Sequence, residues 1–298
     1  MLLVTIVFFL LVLLPFLPGL IEYFNPKDNL PLDINFYYSK SPRYFSESFK
    51  NKLHSKIKDD EVLKALYENE KVEFFHDNVR FFYFYDIPSN TELNEILYVL
   101  NDLKTHENII LNKEVYVKGN ARIGEKNVIR AMACEGEIYL GKSSRVLRWI
   151  DAEKGINIEN GCNLGVSATS NGVIKIGKGC IFKRLFGKEI TTPHEEELNK
   201  GVVSEAIIKG SIKTYSNFFV KGNVEIHGNL FGEKDVFLSK NVIVKGDIFS
   251  QGKVVLEDNV RVGEEGKIKS VIGKKGITIK GPVKIYGYVM TEGEGKVE

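Results

Sequence analysis

His194 and His227 are the side chains here best suited to general-base work, and Cys134, Cys162 and Cys180 those suited to nucleophilic, redox or metal chemistry. A neutral imidazole can take the proton of a hydroxyl or thiol as it attacks. His194 stands in RLFGKEITTPHEEELNKG, a stretch long enough to form a loop over a reacting centre. Its neighbours Glu195, Glu196 and Glu197 favour a solvated loop residue instead, and His227 is expected at a solvent-facing corner. The three cysteines are odd in number and far apart, with no CxxC pair and no histidine cluster near them. Neither a disulfide framework nor a zinc site follows, and no metal or cofactor is expected. A reducing compartment suits them. The net charge of +2 over 298 residues, with no run of Lys or Arg, lacks the concentrated basic face that a nucleic-acid partner needs.

The elements that would position these residues are repeats. VFLSKNVIV (Val236 to Val244) aligns without gaps with VVLEDNVRV (Val254 to Val262) eighteen residues on, and FFVKGNVEI (Phe218 to Ile226) stands eighteen before. ITIKGPVKI (Ile277 to Ile285) follows after a five-residue insertion. The same pattern is read in VYVKGNARI (Val115 to Ile123), IYLGKSSRV (Ile138 to Val146), INIENGCNL (Ile156 to Leu164) and IKIGKGCIF (Ile174 to Phe182), for at least eight coils. Phe218, Val224, Leu230, Val236, Val242, Ile248, Val254 and Val260 add a finer period of six, which makes three faces per coil. Such coils stack about 4.8 Å apart as parallel ladders. In each V-x-V triplet the flanking residues point inward and the middle one outward. Gly or Asn after the triplet turns the corner, where positive φ is favoured. On this register Cys162 and Cys180 are stacked neighbours, read as small core residues, although the spacing admits a disulfide. Trp149 is expected to cover a corner. The array, residues 114–290, is interrupted once at 183–203, AIIKGSIK (Ala206 to Lys213) resumes the register, and 291–298 is a polar tail.

Met1 to Ile21 carries no charged side chain and is about as long as a hydrocarbon core of roughly 30 Å requires. With no basic n-region and no small-x-small site, residues 1–24 are expected to be a retained transmembrane anchor. Lys27, Lys40, Arg43, Lys50 and Lys52 follow it, so the positive-inside rule puts the body in the cytoplasm. Residues 25–113 are expected to form a small α+β domain. It would hold a helix opening at Ser41-Pro42 and running to about 56 with Phe45, Phe49 and Leu53 in line, and a second helix over 60–68. A hairpin of 72–75 and 79–85 around Asp77-Asn78, and a helix over 91–104 on Leu93, Ile96, Leu97 and Leu100, complete it. The aromatic run Phe81 to Tyr85 is read as a strand buried on both faces rather than a stacking platform for bases or sugars, since no glycine or basic residue interleaves with it.

Triplets six residues apart, in VIVKGDIFSQGKVVLEDNVRVG (Val242 to Gly263) and FFVKGNVEIHGNLFG (Phe218 to Gly232), resemble the bactofilins, the polymer-forming cytoskeletal proteins. The resemblance covers the solenoid alone. It implies a right-handed β-helix that polymerises end to end without nucleotide and serves as a membrane-associated scaffold. The chain departs from that family in its apolar anchor, its folded segment before the array and its greater number of coils. The six-residue period is shared with the left-handed hexapeptide acyltransferases, which use a histidine as general base, and here His194 or His227 would be that base. Ile123-Gly124, Leu140-Gly141, Leu164-Gly165, Ile176-Gly177 and Val262-Gly263 fit their aliphatic-Gly hexapeptide, while most other faces do not.

The expected fold is therefore mainly β, a β-helix of about 18-residue coils preceded by a transmembrane helix and a small α+β domain. The expected function is that of a single-pass, membrane-anchored, non-enzymatic scaffold that self-associates through its C-terminal coils. The alternative is acyl transfer.

Overall fold

The computed structural model describes residues 41–56, 64, 73–76, 79–192 and 206–298. Its strands wind into a β-solenoid of about 11 turns. In the C-terminal repeats the ladder has the register read from the sequence: Val236 pairs with Val254, Val254 with Ile277, and Val244 with Val262. Leu230, Val236, Val242, Ile248, Val254 and Val260 are all 0% exposed, so the six-residue period is the period of the inward side chains. Each inward Val or Ile rests on its copies in the coils above and below, which gives an unbroken aliphatic stack.

The solenoid begins earlier than the repeats place it. Val79–Phe82 already pairs in parallel with Ile96–Val99, and that strand pairs with Ile110–Val117. Residues 79–113 are thus coils rather than part of a separate α+β domain. The helix expected over 91–104 is replaced by the strands Glu92–Leu93, Ile96–Val99 and Leu103–Thr105. Leu93, Ile96, Leu97 and Leu100 do have helical spacing, but Leu97, Val99 and Leu103 are inward members of successive faces, at most 1% exposed and stacked on the next coil. A helix there would forfeit those ladders. The hairpin of Glu73–His76 with Val79–Phe82 is present. Its second strand stops at Phe82, because Tyr83 and Phe84 turn a corner and are 48% and 44% exposed. The anchor expected over 1–24 lies outside the described residues, as does the helix over 60–68 apart from Lys64. Among the described residues no helix is long and apolar enough to cross a membrane.

One phrase of the N-terminal half is out of phase with the others. The VYV of Val115 to Val117 stacks on Leu97 to Val99, whereas the IYL of Ile138 to Leu140 stacks on Ala121 to Ile123. The two triplets occupy different faces.

Corners are built as ladders too. Asn223, Asn241 and Asn259 have φ of 59°, 63° and 57°, and the side-chain amides of Asn241 and Asn259 donate to the Oδ1 of Asn223 and Asn241, at 3.1 and 2.8 Å. Pro282 takes the next place and offers no donor, so Asn259 Oδ1 is buried without a partner. In the N-terminal half the left-handed column runs through Asn90, Asn108, Lys126, Ser143, Gly161 and Gly179. Asn120, expected to be such a corner, instead uses its Oδ1 to accept the Glu137 N–H at 3.0 Å. Asn241→Ala is expected to cost about 2 kcal/mol, from positive φ on a residue with a Cβ and from the lost side-chain bonds. Asn241→Gly should cost about half of that, since it keeps the backbone freedom. Urea unfolding reads the difference, and equal losses would remove the backbone contribution.

The interruption expected at 183–203 is in its first part a strand. Ile181–Thr191, 11 residues long, runs antiparallel to the 15-residue C-terminal strand Val283–Val297. The remainder, 193–205, lies outside the described residues, and the expected polar tail 291–298 is mostly the end of that C-terminal strand. The chain therefore forms two arrays, a first from Val79 to Thr191 and a second from Ala206 to Val297. The second does not resume the stack of the first. Their last coils meet each other, with Leu185 opposite Val289 and Ile190 opposite Ile285, all four at most 1% exposed. Thr192 Oγ1 ties the seam by donating to the Gly281 carbonyl at 2.7 Å and accepting the Val283 N–H at 2.8 Å. A Cβ at Gly295 would stand 2.3 Å from the Phe182 ring, so a glycine there lets the ring lie across the seam. At the opposite end of the second array, Ala206–Ile208, Ile212–Thr214 and Phe218–Val220 each pair with one neighbouring strand among the described residues.

Candidate functional site

Among the described residues singled out for chemistry, Cys162 and Cys180 are brought together and His227 stands apart from them. His194 lies outside the described residues. His227 is exposed at a corner, with Nε2 2.8 Å from Glu225 Oε1. Glu225 also meets Lys245 Nζ at 2.6 Å, which holds its carboxyl below the usual range. Cys134, Cys162 and Cys180 are free and buried. Cys162 and Cys180 are neighbours in adjacent coils as expected, donating to the carbonyls of Gly141 at 3.2 Å and Glu159 at 3.1 Å. Contact with Cys180 and burial push the Cys162 thiol up, and burial raises Cys134 to about 12, so neither is poised as a nucleophile. Among the described residues no three His, Cys, Asp or Glu side chains are grouped to hold a metal.

The side chains that do converge lie under one helix, α1, Tyr44–Lys56. The sheet face beneath it carries Phe81, Tyr98, Tyr116, Ala133, Asp151 and Thr169 as one outward column, one residue per coil. Ala131 and Ala133, between Tyr116 and Trp149, let the helix approach closely. Leu53 and Phe49 fill the space, with the Phe49 ring 5.8 Å from Trp149 and the His54 ring 5.4 Å from Tyr116. Trp149 thus sits beneath α1, 8% exposed, rather than over a corner. The docked stripe is Ser46, Phe49, Lys50 and Leu53. Phe45, expected on that stripe, is 37% exposed.

A charge network anchors the N-terminal end of α1. Arg43, 6% exposed, donates from Nε and Nη2 to the two oxygens of Asp151 at 2.7 and 2.6 Å, and reaches Glu153 at 2.9 and 2.7 Å. Asp151 is 0% exposed and also accepts from Ser46 Oγ at 2.7 Å and Thr169 Oγ1 at 2.5 Å. Lys50 Nζ at 2.8 Å and Asn171 Nδ2 at 2.7 Å complete Glu153. Burial works to lower the Arg43 value, but the bonds to Asp151 and Glu153 outweigh it and raise it above the ordinary guanidinium range. Those from Arg43 hold the Glu153 carboxyl down at about 2, from an ordinary 4.5. A carboxyl depressed in the folded state stabilises fully above its unfolded value and loses that contribution as pH falls through the folded one. The docking of α1 is therefore expected to weaken between pH 4.5 and about 2. Trp149 fluorescence against pH checks this, and a flat profile over that window would remove Glu153 from the account.

A concavity of about 780 Å³ lies along another face of the first array and is lined by Lys104, Arg122, Tyr139 and Lys175 among others. With Asn157 between Tyr139 and Lys175, these are the outward middle residues of successive coils. Lys104 is met by Asp86 at 3.1 Å, and the Tyr139 hydroxyl donates to Glu159, which raises its pKa. The groove is thus a solvated face with much of its charge met from within the array.

The α1 site left little trace in the sequence. Arg43 and Asp151 are 108 residues apart, and the available signal was an acid at a strand position whose counterparts in neighbouring coils are Ala133 and Thr169. No family model, no curated protein and no solved structure matches the chain.

Proposed function

We propose that the protein is a membrane-anchored, non-enzymatic scaffold of bactofilin-like kind, with its body in the cytoplasm and its solenoid as the part that self-associates. The single observation that carries the reading is the seam between the arrays. Two solenoid ends of this sequence type join there by an antiparallel ladder, with apolar residues at most 1% exposed on both sides. The C-terminal strand, on whose coils self-association was expected, is already occupied by that seam. The opposite end of the second array is where a further copy would pair. Its edge strands Ala206–Ile208 and Phe218–Val220 carry Ile207, 54% exposed, and Phe219, 61% exposed. The chain upstream of α1 contains the uncharged stretch Met1 to Ile21, which supports anchoring.

Electron microscopy and sedimentation of the full chain test the reading. End-to-end assemblies that Ile207→Lys disperses are expected. Particles of single-copy length at every concentration, or uniform trimers that bind acyl-CoA, would overturn it.

A further inference from the structure

Cys162 and Cys180 are two thiols that the fold sets against each other. They open the same face in adjacent coils, and the residues that follow them, Asn163 and Ile181, bridge in parallel, with the Ile181 N–H donating to the Cys162 carbonyl at 2.9 Å. Stacking at about 4.8 Å sets their Cα atoms inside the span of roughly 4.4–6.8 Å that a disulfide takes. Both thiols lean toward the preceding coil, Cys162 on the Gly141 carbonyl and Cys180 on that of Glu159, which brings the Cys180 sulfur into contact with Cys162. That contact holds Cys180 below the ordinary thiol value. Each cysteine is at most 1% exposed, yet each follows an exposed glycine corner, so the pair lies just inside the surface. Gly161 and Gly179 have φ of 74° and 73°, in a column that elsewhere holds Asn, Lys and Ser. A Cβ at either glycine would meet nothing nearer than 3.5 Å. Crowding therefore does not require glycine there. What glycine adds is a corner that can shift as a bond draws the two coils together.

We infer that Cys162 and Cys180 are a redox site, joined by a cross-coil disulfide when a peroxide reaches them and reopened by a thiol reductant. Hydrogen peroxide gives one oxygen to the Cys180 sulfur, leaving a sulfenic acid and one water. The Cys162 sulfur then displaces that hydroxyl: the S–S bond forms, the S–O bond breaks, and the Cys162 proton leaves with the hydroxyl as a second water. Two thiols are oxidised and one peroxide is reduced. Thiol exchange in a reducing compartment returns the pair to thiols, so the bond is a reversible lock rather than a permanent staple. The linked corners stand at the seam. Gly179 N–H donates to the Val297 carbonyl at 2.7 Å, Val297 N–H donates to the Cys180 carbonyl at 3.0 Å, and Cys180 leads directly into the seam strand Ile181–Thr191. Oxidation thus fastens that edge to the coil beside it. The inference does not depend on the anchoring or self-association proposed above.

Full-length protein is treated with hydrogen peroxide under native conditions, then denatured, and its thiols are counted. Of the three free thiols one should remain. The chain should be about 2 Da lighter, with one peptide pair joined through positions 162 and 180, and dithiothreitol should restore all three thiols. Cys134→Ala should leave the linkage intact, whereas Cys162→Ala or Cys180→Ala should abolish it. Amide exchange through Ile181–Thr191 should slow about a hundredfold in the linked form. Survival of all three thiols, oxidation of Cys162 or Cys180 to sulfinic acid without a link, or loss of Cys134 as fast as the other two would overturn the site. A linked chain whose Ile181–Thr191 amides exchange as before would overturn its effect on the seam.

Discussion

Arg43→Met is expected to release α1 from the sheet. It leaves Asp151, 0% exposed, with two hydroxyl donors and no cation. Removing one partner of a buried ion pair costs about 3–5 kcal/mol, because the remaining charge has been taken out of water and given nothing in return. Here the loss has an escape. Once the helix lifts, water reaches Asp151, so the penalty cannot exceed the free energy that holds α1 down. The expected readout is therefore local: faster amide exchange through Tyr44–Lys56 and a red-shifted Trp149, with the coils still folded. Pairing Arg43→Met with Asp151→Leu should restore most of the loss, since an apolar pair in that space carries no desolvation cost. A single variant that costs less than about 1 kcal/mol would mean that water already reaches the pair.

Val289→Asp is expected to have the larger global effect. Val289 is 0% exposed, faces Leu185 across the seam and stacks on Val271 in its own array. A carboxylate there has no donor among its neighbours, and substitutions of that kind fall in the rare class above about 4 kcal/mol. Val289→Ile, which keeps the apolar contact but adds one methylene, should cost about 1–3 kcal/mol. Calorimetry distinguishes the seam from a mere weak point. If the seam couples the arrays, one transition in the native chain becomes two in Val289→Asp. A single transition shifted only slightly would show that the arrays do not depend on each other.

How much of this was legible differs between the arrays. In the second array the corner residue is asparagine three times running, at 223, 241 and 259, so the eighteen-residue register can be read directly. In the first array the equivalent left-handed column passes through four residue types, from Asn90 and Asn108 to Lys126, Ser143, and Gly161 and Gly179. The eye then falls on the triplets alone, and the VYV at Val115 matches the IYL at Ile138 although they lie on different faces. Leu93, Ile96, Leu97 and Leu100 misled for a related reason. Leu93 and Leu97 are inward residues of successive faces, four apart, while Ile96 and Leu100 pack outside in the cluster under α1, so the two sets together mimic a helical stripe and only the partner coil decides between the readings. The seam had no signal of its own, because antiparallel pairing between remote strands leaves no repeat. Stacked Cys162 and Cys180 were legible since they share the corner phase of adjacent coils.

The seam also sets an order of events for a growing chain. Within each array, hydrogen bonds join residues about one coil apart, such as Gly119 to Asn101 or Glu257 to Leu238. Those that tie Thr192 to the second array span 89 and 91 residues. Closing a loop about five times longer costs roughly 1.4 kcal/mol more entropy, and contacts of that range form late. The strand that completes the seam ends at Val297, one residue from the C-terminal residue of this sequence. During synthesis the first array can wind coil by coil as it emerges, while its last edge, Ile181–Thr191, waits for a partner made about a hundred residues later. In that interval the same edge on two neighbouring nascent chains has equal claim on either chain's final strand.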